Sequence, residues 1–526
     1  MNPSFGVNYW PSYAGPGMWR DFREEEIAKD LSALRSSGVG YLRAFLFWPD
    51  FMPEAERVEP QMLERLNLFL GICGQQGLDV FLTFLVGHMS GENWAPPWMP
   101  DPVLLFTDEK LLAAQDRYFR DVIGAIHGQP SLAGYVVSNE LPLFTGPADE
   151  TAVTAWSRRI YATIRALDAK RPVSIGDGAW YLAGNRQGFG PQMAQDVVAP
   201  HLYLAETHFE RQVAAYGLGL AMARRRAEGK EVWLEEFGAT HSVFGEKEVA
   251  ELAYRVAVEA RLHGARRLFW WCGLDFPAEL GERDPYRHHA HELSFGLLDS
   301  ERQERAVAGA LRDAMSSALP ELRPAGVLVP SYLLERYPFS EEPSELAERA
   351  LRNCYAALRN LGYLPSVVLE EDLAHGLDPL PEVLVVPSTQ KLLAPSWSLL
   401  RDYPGKLIYS YLHGAAVRSH EGAWIGAEEA RAFFGGEPHN HFNLPEKAPR
   451  VLRGPGGRLR LPRGNNPFAE TPLLVAPRQA RVLGTDEAGR PLWLRVGRRD
   501  LLLYPLEALA ANPQDVATFY RWALQS

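Results

Sequence analysis

Gly134-Tyr-Val-Val-Ser-Asn-Glu140 and Val232-Trp-Leu-Glu-Glu-Phe-Gly238 decide the fold. Each starts as a short apolar run, the pattern of a strand buried on both faces, and each ends in a carboxylate. Glu140 and Glu236 stand 96 positions apart, three spans of 32. One strand–helix unit of a (β/α)8 barrel takes about 30 residues. Two glutamates three units apart, both leaving the C-terminal ends of strands, would face each other across the mouth of such a barrel.

The same alternation runs through the first ~320 residues. Apolar runs at Phe5–Tyr9, Tyr41–Phe47, Asp79–Leu85, Gly134–Val137, Pro172–Gly176, Val197–His201, Glu231–Leu234 and Arg267–Trp271 read as eight strands. Helix-period segments such as Glu24–Ser36 and Leu111–His127 separate them. Strands alternating with helices predict a parallel α/β architecture, and eight of them predict a closed TIM barrel over residues 1–320. Leu319-Pro-Glu-Leu-Arg-Pro324 reads as a linker. A new alternation then begins: Ala325–Pro330, a helix near Ser344–Leu361, Ser366–Leu369, Glu382–Pro387, Lys406–Ser410 and finally Leu501–Tyr504. It predicts a second α/β domain over 325–526 with an open, doubly wound sheet. Within it, residues about 435–495 are rich in Gly, Pro and Arg, with turns at Pro455-Gly-Gly457 and Asp486-Glu-Ala-Gly489.

Composition agrees with two cores. The chain has 526 residues, too many for one compact core, and 46% are hydrophobic. Net charge is −11 with no basic stripe, which argues against a nucleic-acid partner. No run of 18 apolar residues suggests a membrane span, and no charged, then apolar, leader precedes the first strand, so a cytoplasmic protein is expected. Cys73, Cys272 and Cys354 are scattered and odd in number, which disfavours a disulfide framework or a four-Cys zinc site. The 14 Trp are many. They fit either core positions or platforms on which the apolar face of a sugar ring stacks.

Catalytic side chains of such barrels sit at the C-terminal ends of the strands. Those positions hold Arg43 on the second strand, His88 after the third, Asn139 and Glu140 after the fourth, His201 and Tyr203 on the sixth, Glu235 and Glu236 on the seventh, and Trp270 and Trp271 on the eighth. Singly, a strand-end His or Arg has an ordinary structural explanation. Two facing carboxyl groups are what hydrolysis of a glycosidic bond needs, one as acid and one as carboxylate. Neighbouring side chains on a strand face opposite sides, so only one of Glu235 and Glu236 is expected to enter the mouth. Trp94 and Trp98, in Asn93-Trp-Ala-Pro-Pro-Trp98, together with Trp48 and Trp180, are candidate sugar platforms. Arg287-His-His-Ala-His-Glu292 admits a metal or a sugar-hydroxyl reading; neither metal nor cofactor is expected for the chemistry.

As a set, these residues resemble glycoside hydrolase clan A, and most closely family 5 with its cellulases, mannanases and β-mannosidases. The resemblance rests on Arg43, His88, Asn139-Glu140, His201-Leu-Tyr203, Glu236-Phe-Gly238 and Trp271, and covers residues 1–320. Leu141 follows Glu140 where many members have Pro. The resemblance implies Glu236 as nucleophile, kept ionised by Arg43 and Tyr203, and Glu140 as acid/base. It also implies Asn139 on the sugar 2-hydroxyl, His201 orienting Glu140 or the sugar, and Trp271 as floor of the −1 subsite. Residues 325–526 are similar to the glutamine-amidotransferase-like, flavodoxin-related domain that follows the barrel in family 42 β-galactosidases. The region matching the amidotransferase nucleophile turn, Tyr409–Gly414, has no Cys, so an inactive domain is implied. The likeness further implies a homo-oligomer, a trimer in the family 42 relatives, and a pocket suited to exo-cleavage. The expected activity is that of a retaining exo-β-glycosidase on a small oligosaccharide or β-glycoside. β-Mannosidase comes first, family 42-type β-galactosidase second, endo-β-1,4-mannanase or glucanase third.

Overall fold

The computed structural model describes residues 4–176, 178, 179, 190, 192–204, 206–334, 345–375, 381–389, 392–412, 427–439, 448–464 and 470–525. Its backbone divides into two compact units. The first comprises Met1–Trp180, Asn185–Tyr203 and Arg226–Leu319, the second Leu204–Arg225 and Pro320–Ser526.

The first unit is a closed parallel barrel. Its strands are β1 (Phe5–Tyr9), β2 (Val39–Phe47), β3 (Asp79–Val86), β4 (Leu132–Ser138), β5 (Val173–Ser174), β6 (Val197–Val198, resumed at Pro200–Leu202), β7 (Glu231–Phe237) and β8 (Arg267–Trp270). Each pairs in parallel with the next, and β8 returns to β1 through Gly6 opposite Phe269 and Val7 opposite Trp270. The fifth and sixth strands are shorter than the apolar runs suggest. Gly178–Ala179 extends the β5 side, pairing with Pro200 and His201.

Side chains from alternate positions fill the barrel. Tyr41, Phe81, Val136, Val197, Ala199, Trp233 and Phe269 pack into one buried layer. The guanidinium of Arg267 lies 4.7 Å from the Phe81 ring centroid and 5.1 Å from that of Tyr41, a cation held by aromatic faces at the start of β8. Moving two residues further along the strands leaves this apolar layer for Arg43, Thr83, Ser138, His201, Glu235 and Trp271, all buried. The period of two that builds the core thus delivers polar groups to the mouth. Outer helices are capped where their sequences provide acceptors: Asp108 takes the amides of Lys110 and Leu111 at 2.9 and 3.0 Å, and Asp149 that of Ala152 at 2.9 Å.

The second unit holds a nine-stranded sheet. Its parallel part contains β9 (Arg323–Val329), β10 (Tyr363–Leu369), β11 (Val383–Thr389) and β12 (Lys406–Tyr411). The order is β10-β9-β11-β12, then Arg499–Leu502, with antiparallel strands beyond. Pro455-Gly456 and the Asp486–Arg490 stretch are the turns of hairpins Val451–Gly454/Gly457–Arg460 and Arg481–Thr485/Pro491–Val496. The helix Phe209–Arg226, which follows β6 in sequence, packs in this second unit. Its Ala214, Leu218, Ala221 and Met222 are buried among residues such as Val327 of β9 and Leu351 and Tyr355 of the helix Glu345–Asn360. Among the described residues no helix is long and apolar enough to cross a membrane.

Candidate active site

The polar layer at the barrel mouth is built around Arg43. Its side chain, fully buried, donates from Nη1 to Oε1 of Glu236 and, at 3.2 Å, to Oδ1 of Asn8. From Nη2 it donates to Oδ1 of Asn139 at 2.8 Å and lies 3.6 Å from a Glu235 oxygen. A guanidinium offers donors in a rigid fork, so one residue can fix three neighbours. Asn139 passes the order on: its Nδ2 donates to the His88 carbonyl at 2.9 Å. His88 bonds Asn93 through Nδ1 at 2.6 Å and turns Nε2 toward Glu140, 3.7 Å away.

Glu140, two residues past the end of β4, has a left-handed conformation, φ 47° and ψ 47°, a backbone state unusual for a side chain with a Cβ and found at sites where surrounding structure enforces it. The backbone here is tied across to the neighbouring strand: Ser138 donates through Oγ to the Ile175 carbonyl at 2.6 Å, and the Glu140 amide donates to the Gly176 carbonyl at 2.9 Å. Oε1 of Glu140 meets Nδ1 of His201 at 2.8 Å. Gly178 makes room for that contact: a Cβ there would lie 2.7 Å from the His201 Nδ1 and 2.8 Å from Glu140 Cγ, and its φ of +66° favours glycine in any case. Glycine is required again in Glu236-Phe-Gly238, where a Cβ on Gly238 would meet the Trp271 carbonyl oxygen at 2.4 Å.

Glu235 and Glu236 both reach the mouth, against the expectation from strand alternation. β7 pairs Leu234 with Leu268 and then Phe237 with Trp270. Two residues on β7 thus stand where β8 has one, a bulge that re-aims a side chain. Glu236 takes Arg43 on Oε1 and the Tyr203 hydroxyl on Oε2 at 2.9 Å. Glu235 lies beneath, fully buried, 3.2 Å from Nε2 of His201.

His201 is therefore surrounded by Glu140, Glu235 and Glu236, the last at 3.5 Å. Burial alone would lower its pKa; the charge of Glu236 and the hydrogen bonds of Glu140 and Glu235 overcome that and raise it to about 10. For Glu140 burial pushes upward, but His201, with smaller help from His88 and Arg43, holds the carboxyl below its ordinary value. For Glu236 burial and the charge of Glu140 outweigh His201, Arg43 and the Tyr203 hydroxyl, and its pKa lies above the ordinary value. His201 is thus pushed toward its protonated form, one 2.8 Å hydrogen bond from Glu140.

Trp271 lies edge-on to Phe45, centroids 6.0 Å apart, and donates its indole N–H to Glu292 at 2.9 Å. Trp94 lies edge-on to Phe47. Trp98 donates to the Met52 carbonyl at 2.7 Å and packs on Trp48. Both are held by their loops and not by the carboxylate cluster. Trp180 lies outside the described residues. Three positions were not singled out in the sequence. Asn8 was signalled by an amide inside an apolar strand, and Gly178 by two glycines after a strand. Glu292 was visible only as part of a His-rich loop. Its carboxyl is pushed up to about 7 by burial and by the charges of Glu236 and Glu140, against its bonds to Trp271 and Ser90.

One ligand atom each from Glu140, His201 and Glu236 lies within 4.8 Å of the others, the one group among the described residues with spacing for a metal ion. Arg43 on Glu236 and the use of both His201 nitrogens by carboxylates make it a poor cation site, since a metal would share the oxygen with a guanidinium. The same closeness suits a different chemistry. Carboxyl groups about 5–5.5 Å apart serve retaining glycosidases, whereas inverting enzymes space them by about 6.5–9.5 Å.

No curated protein sequence matches the chain significantly. Among solved structures, the fold is similar to the exo-β-1,4-mannosidase Op5Man5 from Opitutaceae bacterium strain TAV5, at TM-score 0.78 and 23% identity, over 99% of this chain and 96% of that one. A GH5_18 protein from Streptomyces cattleya, solved with GlcNAc, aligns at TM-score 0.62 and 25% identity over 71% of this chain and 95% of its own. The β-galactosidase of the psychrophilic Marinomonas ef1 aligns at TM-score 0.64 and 14% identity over 99% and 91%. The family profile described as cellulase (glycosyl hydrolase family 5) matches residues 5–272, half of the chain and all eight barrel strands. The chain belongs to glycosyl hydrolase family 5, and is a retaining glycoside hydrolase.

Proposed function

We propose that this enzyme is an exo-β-mannosidase that releases single mannose units from β-mannosides and short manno-oligosaccharides. The observation that carries the reading is the Glu140–His201–Glu236 cluster, with Arg43 and Tyr203 on one carboxyl and His201 on the other. In the first step an oxygen of Glu236 bonds to the anomeric carbon as the glycosidic C–O bond breaks, and Glu140 gives a proton to the leaving oxygen. The proton that Glu140 supplies can come from His201 across their hydrogen bond. In the second step Glu140, now a carboxylate, takes a proton from water, whose oxygen displaces Glu236 from the sugar. Esterification of Glu236 removes one of the charges that hold the proton on His201, so the proton affinities of the cluster shift between the two steps. Asn139, fixed by Arg43 and His88, has a second amide N–H to offer the sugar 2-hydroxyl.

The choice of mannose is supported by the full-length fold likeness to an exo-β-1,4-mannosidase and by the 25% identity, over 71% of this chain, to a Streptomyces cattleya GH5_18 variant solved with Manβ1-4GlcNAc. The second unit supports an accessory role. Its parallel strands run in the order β10-β9-β11-β12 and then Arg499–Leu502, the flavodoxin-like order, in keeping with the family 42-type accessory domain and with assembly as a homo-oligomer, a trimer first. The full-length likeness to β-galactosidases favours galactoside as the second reading. Hydrolysis of aryl β-mannoside, glucoside, galactoside and xyloside, beside mannobiose and Manβ1-4GlcNAc, tests the proposal. Preference for the mannoside with mannose as the only early product is expected; preference for the galactoside overturns it.

A further inference from the structure

The loop after β8 contains Arg287-His-His-Ala-His-Glu292, and its residues go separate ways. His288 is 3.8 Å from Asp284. His289 packs over Gly91, where a Cβ would lie 2.6 Å from its ring. Glu292 alone turns its carboxyl to the Trp271 side of the mouth. Oε2 accepts the Trp271 indole N–H at 2.9 Å and the Ser90 hydroxyl at 3.2 Å. Ser90 and Gly91 have φ of 48° and 84°, the left-handed pair of a tight hairpin turn between His88–Met89 and Glu92–Asn93. That turn, with no Cβ at Gly91, lets the loop after β3 approach closely enough for Ser90 to reach Glu292. No donor among the described residues reaches Oε1; the His291 ring stands 3.7 Å from it. The side chain keeps 14% of its surface exposed, so this oxygen can meet a ligand.

A carboxyl so placed has a cost. It lies close enough to Glu236 and Glu140 for their charges to oppose its ionisation. Holding the indole needs only one neutral acceptor, which an amide would provide without the repulsion. The second oxygen is the part that this bracing leaves unexplained. A pyranose with its anomeric carbon at Glu236 and its face on Trp271 turns its opposite edge, carbons 3 and 4, away from the cleaved bond. Carboxylates pair readily with two adjacent hydroxyls, and charged acceptors make the stronger hydrogen bonds.

We propose that Glu292, braced by Trp271 and Ser90, binds the C3–C4 hydroxyl edge of the sugar in the −1 subsite and sets specificity for the non-reducing-end sugar. This rests on the exo-glycosidase reading above. The test compares wild type, E292Q and E292A on the aryl β-glycoside the enzyme turns over best and on its 3-deoxy and 4-deoxy analogues. In wild type, removal of one of these hydroxyls is expected to lower kcat/KM by about tenfold to a hundredfold, the range for a hydrogen bond to a charged group. In E292A the parent substrate falls by a similar factor and the deoxy penalty shrinks below about threefold. E292Q, isosteric and able to accept from the indole, keeps a folded reference with an intermediate penalty. A deoxy penalty that stays at its full wild-type size in both variants overturns the role of Glu292 and leaves the glycosidase reading intact. Failure of wild type to hydrolyse any aryl β-glycoside or disaccharide overturns both.

Discussion

Each unit of this protein buries glutamate in a polar nest, and the two nests are built differently. In the second unit Glu507 is fully buried and both oxygens are taken by neutral donors: Ser388 at 2.7 Å, Ser410 at 2.8 Å and Tyr520 at 2.9 Å. Burial raises its pKa against those bonds. Asn353 ties the neighbouring backbone, donating to the carbonyls of Glu507 and Ala510 at 2.8 Å each. At the barrel mouth the charge of Glu140 raises the proton affinity of Glu236, and both raise that of Glu292, while a guanidinium and an imidazole sit among them and Oε1 of Glu292 remains open to a ligand. A carboxyl satisfied on every side is a structural bolt. Carboxyls crowded together with oxygens free are held at a cost in stability by the rest of the fold, which is the mark of a working site.

The largest effects should separate the nests cleanly. Glu236→Ala is expected to lower kcat by about 10⁴-fold or more, the scale for loss of a nucleophile that acts as part of a unit, with Tm unchanged or higher because a buried like charge is gone. Glu140→Ala should lose most on substrates with poor leaving groups, since an acid contributes about 10²–10⁴-fold. Glu507→Ala should do the reverse. It leaves the Ser388, Ser410 and Tyr520 hydroxyls without their acceptor, at about 3 kcal/mol of stability, with kcat per folded molecule within about twofold. Rate assays beside denaturant unfolding read both arms; a stability loss in Glu236→Ala larger than in Glu507→Ala would break the comparison.

The next effect sharpens it from the backbone. Gly178→Ala keeps every titratable group and drives a methyl into His201 and Glu140. Kcat should fall by about 10²-fold, a cost expected of a misplacement near 1 Å, together with about 1–2 kcal/mol for a side chain at positive φ. The pH dependence of kcat should shift as well, because the hydrogen bond that sets the proton affinities of Glu140 and His201 is disturbed.

How much of this was legible in the sequence differs by scale. The strands carrying Arg43, Glu140, His201 and Glu236 announce themselves because a strand buried on both faces must be apolar throughout, and a polar residue at its end stands out. β5 and β6 are broken into two- and three-residue pieces where the apolar runs predict longer strands, since the chain's hydrophobic runs do not record where ladder hydrogen bonds stop. The bulge at Glu235 and Glu236 is invisible for a related reason. Period-two reasoning assumes an unbroken ladder, and one extra residue sends both side chains inward. Glu292 was visible only as one acid among three histidines, and which of the four enters the mouth depends on the turn at Ser90 and Gly91, far away in sequence. Gly178 could not be weighed without knowing what its missing Cβ would touch.

Glu292→Gln tests the cost argument directly. The folded carboxyl titrates at about 7 against an ordinary 4.5. Below 4.5 both folded and unfolded chains are protonated there, and the stability that the folded state gains from the neutral form is intact. As pH rises through about 7 that contribution is lost, because the unfolded chain ionises earlier and more easily. Glutamine stays neutral throughout. The variant should match wild type near pH 4 and exceed it above pH 7, by up to about 3 kcal/mol at 1.36 kcal/mol per pKa unit. Glu236, Glu140, Tyr203, His291, Cys272 and Tyr286 are titratable neighbours, and Glu236 carries the first-named charge that opposes ionisation, so Glu236→Ala should narrow the gap. Urea unfolding at pH 4, 6 and 8 measures it; a gap that is independent of pH would remove the charge crowding on which the contrast with Glu507 depends.

The smallest effect belongs to Trp98, and it asks where the working site ends. Trp271 is held by the crowded acid Glu292, Trp98 by the Met52 carbonyl and a T-shaped contact with Trp48. A tryptophan whose N–H ends on a backbone carbonyl is as satisfied as Glu507, and by the same logic belongs to the scaffold. Trp98→Ala is therefore expected to change kcat/KM on a monosaccharide glycoside by less than about threefold while costing about 2 kcal/mol through lost packing and one hydrogen bond. Trp271→Ala, removing the expected floor of the −1 subsite, should cost about 10²-fold on the same substrate. Longer manno-oligosaccharides extend the test outward. If Trp98→Ala loses as much on mannotetraose as Trp271→Ala loses on the aryl glycoside, the loop after β3 is a sugar platform, and the boundary between scaffold and site runs beyond Trp48.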